Sequence, residues 1–343
     1  MEDKGKMVTV GINGFYSTGS SAYIDLLYEF EETQIFYHEL KFFVHADVGL
    51  HRLKIDLHMN PSIEVLDKFV NNLLNYKDFS NCMKKYPDIE KTLQGYKNKL
   101  IPIVERYSHF YDYKSPFTKF SSCSIKEKVN FYTSSNYNME LGNFDEISKE
   151  FVRNILTTLG IDCKSKDKNV IVLDQIFKGA IKGDPTYSFR YFENPLAIFV
   201  DRDPRDIYLY CKFFLKGKIS HNIPEDVDKF IEDFLYRRQC MHHLKRRDDI
   251  LYCKFEELIF DTDNAIKKVA DFIGVKNHIN KGKHFSPAQS RTSARLTEVY
   301  TSCPNDVKKI EDKLTDYLFP FEKYEDIAPE GEMFWGSQKS KKY

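Results

Sequence analysis

An excess of charge of either sign is missing: 51 Lys and Arg stand against 51 Asp and Glu. Bulk electrostatics therefore give no pull toward DNA, RNA or an anionic membrane, and nucleic acid is not an expected partner. A local basic pocket is left open. Ordered cysteine is missing too. Seven cysteines, at 82, 123, 163, 211, 240, 253 and 303, form no CxxC pair and are odd in number. That reads as reduced, neutral thiols rather than a disulfide framework or a zinc site. The histidines show no HxxxH or Cys/His spacing, so no metal is expected. No run approaches the roughly 20 apolar residues of a membrane span. The opening MEDKGKMVTVGING passes from charged residues into a strand-like run, without the long apolar core of a secretory signal. The expectation is a cytoplasmic protein. No GxSxG element or Ser/His/Asp set stands out either.

What is present is an ordinary globular balance, 42% hydrophobic and 30% charged over 343 residues. That suffices for one large α/β domain or two small ones. Met7 to Ile12 is a short β-branched run, closed by a small-residue loop from Asn13 to Gly19. Tyr23, Leu26, Leu27 and Phe30 then recur at helical spacing. Strand, small-residue loop and helix together form an arrangement that holds a phosphate, because loop amides and the helix N-terminus face the anion. Residues 56–165 hold amphipathic stretches such as Ser62 to Leu74 and Phe144 to Leu159, and read as a helical insertion or cap. Strand character returns at Val170 to Leu173. Pro195 to Val200 is a continuous apolar run, as in a strand buried within a parallel sheet. It opens into DRDPRD and a helical run from Ile207 to Leu215. Ile250 to Phe255 is a further strand. Asp261 to Ile273 is a helix with its stop at Gly274. Strands separated by helices predict a parallel sheet with helices on both faces. Ligands in such sheets bind at the carboxyl ends of the strands, which is where both Ser17–Ser21 and Arg202–Arg205 fall. The expected organisation is one domain over 1–325, with the insertion at 56–165 and a loosely packed tail after Phe319, most of it at 326–343.

Two elements carry the chemistry. The first is Gly14-Phe15-Tyr16-Ser17-Thr18-Gly19-Ser20-Ser21. It lacks the Lys that a Walker A loop places before Ser or Thr, so its amides and hydroxyls are left to hold a terminal phosphate or sulfonate. An ordinary Gly/Ser turn is the plain alternative. The second is Asp201-Arg202-Asp203-Pro204-Arg205, which puts an Arg straight after a buried strand, suited to bidentate phosphate contact. A surface Arg–Asp network is its plain alternative. Arg237-Arg238 and Lys245-Arg246-Arg247, flanking His242-His243, read as a solvated helix face.

In this order the elements resemble the sulfotransferases that use 3′-phosphoadenosine-5′-phosphosulfate (PAPS). That family has a (K/R)-x-G-(S/T)-(S/T) loop, matched here by Ser17-Thr18-Gly19-Ser20-Ser21. Its R-(N/D)-P turn, with a Ser eight residues on, is matched by Arg202 with Tyr210 in the Ser place. Tyr252 to Leu258, with Asp261 and Phe272-Ile273-Gly274, is similar to the family's RYEDL…DP…FLG segment. His284 to Arg291 is similar to the late loop that closes over the nucleotide. The resemblance implies a P-loop-like three-layer α/β fold and a nucleotide co-substrate, PAPS. Ser17, Thr18, Gly19, Ser20 and Ser21 would hold the 5′-phosphosulfate. Arg202 and Tyr210 would hold the 3′-phosphate, helped by Arg291 or Arg295. The acceptor would be a hydroxyl, on a carbohydrate or glycan, deprotonated by Glu39 in a His38-Glu39-Leu40-Lys41-Phe42-Phe43 setting, with His45 or His51 as alternatives. The chain departs from the family at Ser17, where a Lys or Arg is usual, and at Tyr210. Lys178, Lys182 and Arg190 are candidates for the missing cation by sequence neighbourhood. A P-loop kinase, and a catalytically idle nucleotide-binding or scaffold protein of the same fold, remain as alternatives.

Overall fold

A computed structural model describes residues 7–36, 49–76, 84–108, 141–161, 168–177, 185–216, 224–238, 247–324 and 333. Its centre is a five-stranded parallel sheet, flanked by helices, in the order β2-β3-β1-β4-β5. The strands are β1 (Val8–Gly14), β2 (Thr33–Phe36), β3 (Val170–Asp174), β4 (Pro195–Asp201) and β5 (Ile250–Lys254). The sheet is built from near-continuous apolar runs because its strands are covered on both faces. From Thr9 to Gly14 every residue of β1 is buried, and four of the five in β3 are. β4 and β5 pair from Ala197 opposite Ile250 to Asp201 opposite Lys254. The expected α/β architecture is the observed one. The four-residue β2 gave no sequence signal.

The chain divides into two compact units, Met1–Gly11 with Gln34–Pro195, and Ile12–Thr33 with Leu196–Tyr343. The first holds the helices α2 (Leu50–Met59), α3 (Ile63–Asn75), α4 (Asp88–Ser108) and α5 (Phe144–Thr158). Helical periodicity decides their packing. Tyr96 of α4 stacks on Phe151 of α5 at 4.1 Å and shares a 2.7 Å hydrogen bond with Ser148. Ser62 caps α3 by accepting the Val65 N–H. The described part of 56–165 is thus mostly helical. In this unit the buried Lys54 donates to both oxygens of Asp145, which Arg190 also meets at 3.3 Å.

The second unit holds α1 (Ser20–Leu27), α6 (Pro204–Leu209), α7 (Val227–Arg238), α8 (Phe255–Phe260), α9 (Thr262–Ile273), α10 (Pro287–Arg291) and α11 (Pro304–Lys313). Asp203 caps α6 by accepting the Arg205 N–H, and Pro204 fits the first turn, where no N–H is needed. The helical run expected over Ile207 to Leu215 is split. α6 stops at Leu209 and widens into a π-type turn over Tyr210–Phe214. Gly274 ends α9 in the left-handed region, φ 77°, as its position implied. Tyr208, Leu209, Phe230, Phe234, Leu296, Ile310 and Leu314 form one cluster of this unit's core. The chain beyond Phe319 is not loose, as far as it is described. Phe319, Phe321 and Tyr324 surround the Phe260 ring at 5.8–6.2 Å. No described helix is long and apolar enough to cross a membrane.

Candidate anion site

The site lies within the second unit, where β1 ends and α1 begins. Turning from strand to helix over residues 15–18 puts Tyr16 (φ 73°) and Ser17 (φ 52°) in the left-handed region, followed by Gly19 (φ 81°). For the two residues with side chains this conformation costs about 1–3 kcal/mol each, a strain that proteins hold mainly at functional sites. Gly19 is required twice over: its φ disfavours a side chain, and a Cβ there would lie 2.2 Å from the Phe255 ring. Thr18, buried, accepts the Phe15 N–H at 3.1 Å. A Cβ at Gly14 would collide with that hydroxyl at 2.4 Å. α1 starts with Gly19 as its cap, no side-chain capping bond and no acidic residue in its first turn. Its positive end is therefore not answered by a carboxylate of its own.

Arg202 follows β4 directly and is 2% exposed. Its Nη1 donates to the Ser17 carbonyl at 3.0 Å and its Nη2 to the Ser293 carbonyl; its Nε–H has no partner. The rings of Tyr210 and Phe255 flank the guanidinium at 5.0 and 5.1 Å. Cys211 adds a 3.5 Å contact from its thiol to the Ser17 hydroxyl. Burial raises the Cys211 pKa against the opposing pull of Ser17 and Arg202, so the sulfur is a protonated donor.

The other flank of the loop is covered by α7. Arg238 is 3% exposed, lies 4.7 Å over the Phe15 ring, and donates to both Asp201 oxygens at 3.0 and 2.5 Å. Burial alone would raise the Asp201 carboxyl, but Arg238 and then Lys254 outweigh it and hold its pKa at about 2. Arg237 sits 4.2 Å over the Tyr16 ring and pairs with Asp233 at 2.5 Å. These two arginines do not form the solvated helix face expected for them. Each finds a carboxylate and an aromatic ring instead, and only the packing of the unit reveals those partners.

Three carboxyls lie fully buried around the Arg202 turn. Asp203 accepts from the Arg205 guanidinium at 2.9 and 2.7 Å and from the Phe319 N–H at 2.8 Å. These Arg–Asp pairs are interior, not a surface network. Asp206 accepts the Arg295 and Leu296 N–H groups. Burial raises its pKa to about 7, against the pull of Arg202. Glu256 accepts the Asp203 N–H at 2.8 Å, while its other oxygen has no partner. Burial raises its pKa to about 8, opposed by Lys254 and reinforced by Asp203 and Asp206.

The structure therefore brings Ser17, Thr18, Gly19, Arg202 and Tyr210 together, with Ser20 and Ser21 opening α1. Arg291 is half-buried, 5.7 Å from the Phe260 ring, with its Nε unpartnered. The Arg295 guanidinium lies elsewhere, on the carbonyls of Phe321 at 2.7 Å and Tyr324 at 3.3 Å, where it anchors the C-terminal segment. Glu39, His45, Lys178 and Lys182 lie outside the described residues. Arg190 and His51 belong to the first unit. There Arg190 holds Asp145 and the Tyr187 ring, and burial with Arg190 and Lys54 nearby lowers the His51 pKa to about 3. Sequence reading reaches Phe255 only within the Tyr252–Leu258 match and not as a site residue, and it misses Ser293 and Cys211. An apolar ring, a main-chain carbonyl and a lone thiol leave no motif of their own. Among the described residues no group of three or more His, Cys, Asp or Glu is placed to hold a metal.

No family model matches this chain, and no curated protein matches it. Among solved structures it is similar to a retinol dehydratase in complex with androsterone and inactive cofactor PAP, at 12% identity and a TM-score of 0.27. The likeness covers 88% of this chain and 66% of that one, just under two thirds.

Proposed function

We propose that the protein is a sulfotransferase that takes PAPS as donor and a hydroxyl as acceptor. The observation that carries this reading is the convergence of a lysine-free small-residue loop, an uncapped helix N-terminus and a buried, partly unmet arginine at the ends of β1 and β4. In the proposed reaction the acceptor oxygen bonds to sulfur as the bridging S–O bond breaks. The acceptor proton passes to a base, proposed as Glu39 or His45, and adenosine 3′,5′-bisphosphate leaves. The N–H donors of the loop and α1 would meet the charge on the leaving oxygen, a contribution of about 3–4 kcal/mol per well-placed donor. A carbohydrate hydroxyl is the proposed acceptor class. One observation favours the catalytically idle alternative: the place of the family's cation is held by Ser17, whose hydroxyl is engaged by Cys211.

The test is thermal stabilisation by adenosine 3′,5′-bisphosphate against ADP, ATP and AMP, with and without magnesium. At 100 times the dissociation constant a bound ligand adds about 2.7 kcal/mol. The proposal expects a metal-independent shift for the bisphosphate, and transfer of labelled sulfate from PAPS to a glycan pool. Binding without transfer selects the idle protein. A shift only with ATP and magnesium selects a kinase.

A further inference from the structure

We infer that Arg202 supplies the cation that the loop itself lacks, serving the 5′ sulfate or phosphate end of the nucleotide rather than a 3′-phosphate; this rests on the nucleotide reading above. No Lys or Arg stands anywhere from Gly14 to Ser21. The described cations around the loop differ in what already holds them. Arg238 is engaged by both oxygens of Asp201. Arg237 is paired with Asp233. Lys254 donates to the Tyr317 carbonyl, with Asp201 at 3.9 Å. Of these four, Arg202 is the one that forms no ion pair with a described carboxylate; its terminal nitrogens rest on the carbonyls of Ser17 and Ser293.

A guanidinium has five N–H donors. Two are used on those carbonyls, and the Nε–H of this 98% buried side chain has no partner. A buried cation so placed is costly without an anion, and a bound phosphate or sulfate offsets that cost. Asp206, a carboxyl that feels the Arg202 charge, is raised by burial to a pKa of about 7 and is only partly ionised at neutral pH. The position of the guanidinium favours the 5′ end. The Nη1 group lies 3.0 Å from the carbonyl of Ser17, the residue standing where the family's loop cation stands. The flanking Tyr210 and Phe255 rings keep the guanidinium in that place.

Three ligands separate the two assignments: adenosine 5′-phosphosulfate, which has no 3′-phosphate; adenosine 3′,5′-bisphosphate; and adenosine 3′-monophosphate. In Arg202→Lys and Arg202→Gln, the first two are expected to lose affinity by the same factor, about 10- to 100-fold for a charged hydrogen bond. The third is expected to be unchanged. A loss confined to the 3′-phosphorylated ligands overturns the inference and leaves the nucleotide reading standing. Failure of the wild-type protein to bind any of the three overturns both. A crystal structure of the wild-type protein with adenosine 3′,5′-bisphosphate decides the matter without a variant, should neither substitution fold. Arg202 within hydrogen-bonding distance of the 5′-phosphate supports the inference, and Arg202 on the 3′-phosphate overturns it.

Discussion

Gly19 and Glu256 show how single positions set the behaviour of the site. Gly19→Ala places a methyl against the Phe255 ring at a left-handed φ, and is expected to cost about 2 kcal/mol or more. Chemical denaturation measures it, and nucleotide-induced stabilisation should vanish in the same variant. Glu256 ionises near 4.3 in an unfolded chain and at about 8 in the fold. Between those values the folded protein binds the extra proton. The contribution is therefore fully present below about pH 4 and is lost as pH rises through 8. Glu256→Gln keeps an acceptor for the Asp203 N–H and removes the titration. The variant is expected to be more stable than wild type above about pH 7, and its stability slope over pH 6–8 to be flatter by up to about 1.4 kcal/mol per pH unit. Urea unfolding at several pH values reads both. The loop and Arg202 were legible in the sequence because each is a local pattern beside a strand. Glu256 was legible only as a motif letter; its burial depends on β4 and β5 lying side by side.

At the scale of elements, the end of α1 is tied to the segment after α9. Glu29 receives the N–H groups of Gly282, His284 and Phe285 at 2.8–3.1 Å, and its other close partner is His278 at 2.7 Å. Burial alone would raise its pKa, but these donors, led by Phe285, lower it. Glu32 receives the N–H groups of Lys276 and Asn277 at 3.0 Å. Glu29→Gln is expected to cost about 1.5–3 kcal/mol, the worth of hydrogen bonds to a charged acceptor. Amide exchange should quicken across 276–285 while β1 stays protected. Asp201→Ala should cost more, about 3–5 kcal/mol, because it strands the buried Arg238 between α7 and β4. The helix α9 could be read from its spacing and stop glycine. The tie between Glu29 and residues 282–285 could not, since its partners there are main-chain amides that any sequence carries. The break of α6 at Leu209 was also hidden, because Tyr210–Phe214 keeps an apolar pattern through the π-type turn.

For the whole molecule, the buried carboxyls pull in opposite directions on the pH axis. Asp201 and Glu29 have lowered pKa values, so their stabilisation is present above about pH 4 and lost as pH falls through the folded values. Asp206 and Glu256 have raised values, so theirs is lost as pH rises through about 7 and 8. These four groups favour roughly pH 4–6. His51, kept neutral in the fold with its pKa lowered to about 3, costs stability below about pH 6.5, so maximum stability is expected at about pH 6. Calorimetry across pH 3–9 checks it, and an optimum at pH 8 would contradict the assignment of these four groups. The sheet and its helices could be foreseen from apolar runs because burial on both faces dictates them. The division into two units could not. It turns on residues 12–33 joining a partner stretch that begins at 196.

That arrangement bears on synthesis. The cradle that starts at residue 15 is closed by a carbonyl at residue 293, held through Arg202, and α1 is tied down by residues 276–285. A ribosome makes the N-terminal end first. The turn around Ser17 therefore leaves the exit tunnel long before anything that holds it exists. A nascent chain stalled short of residue 276 has the loop but neither tie, and the site is assembled only once residues 276–293 have emerged.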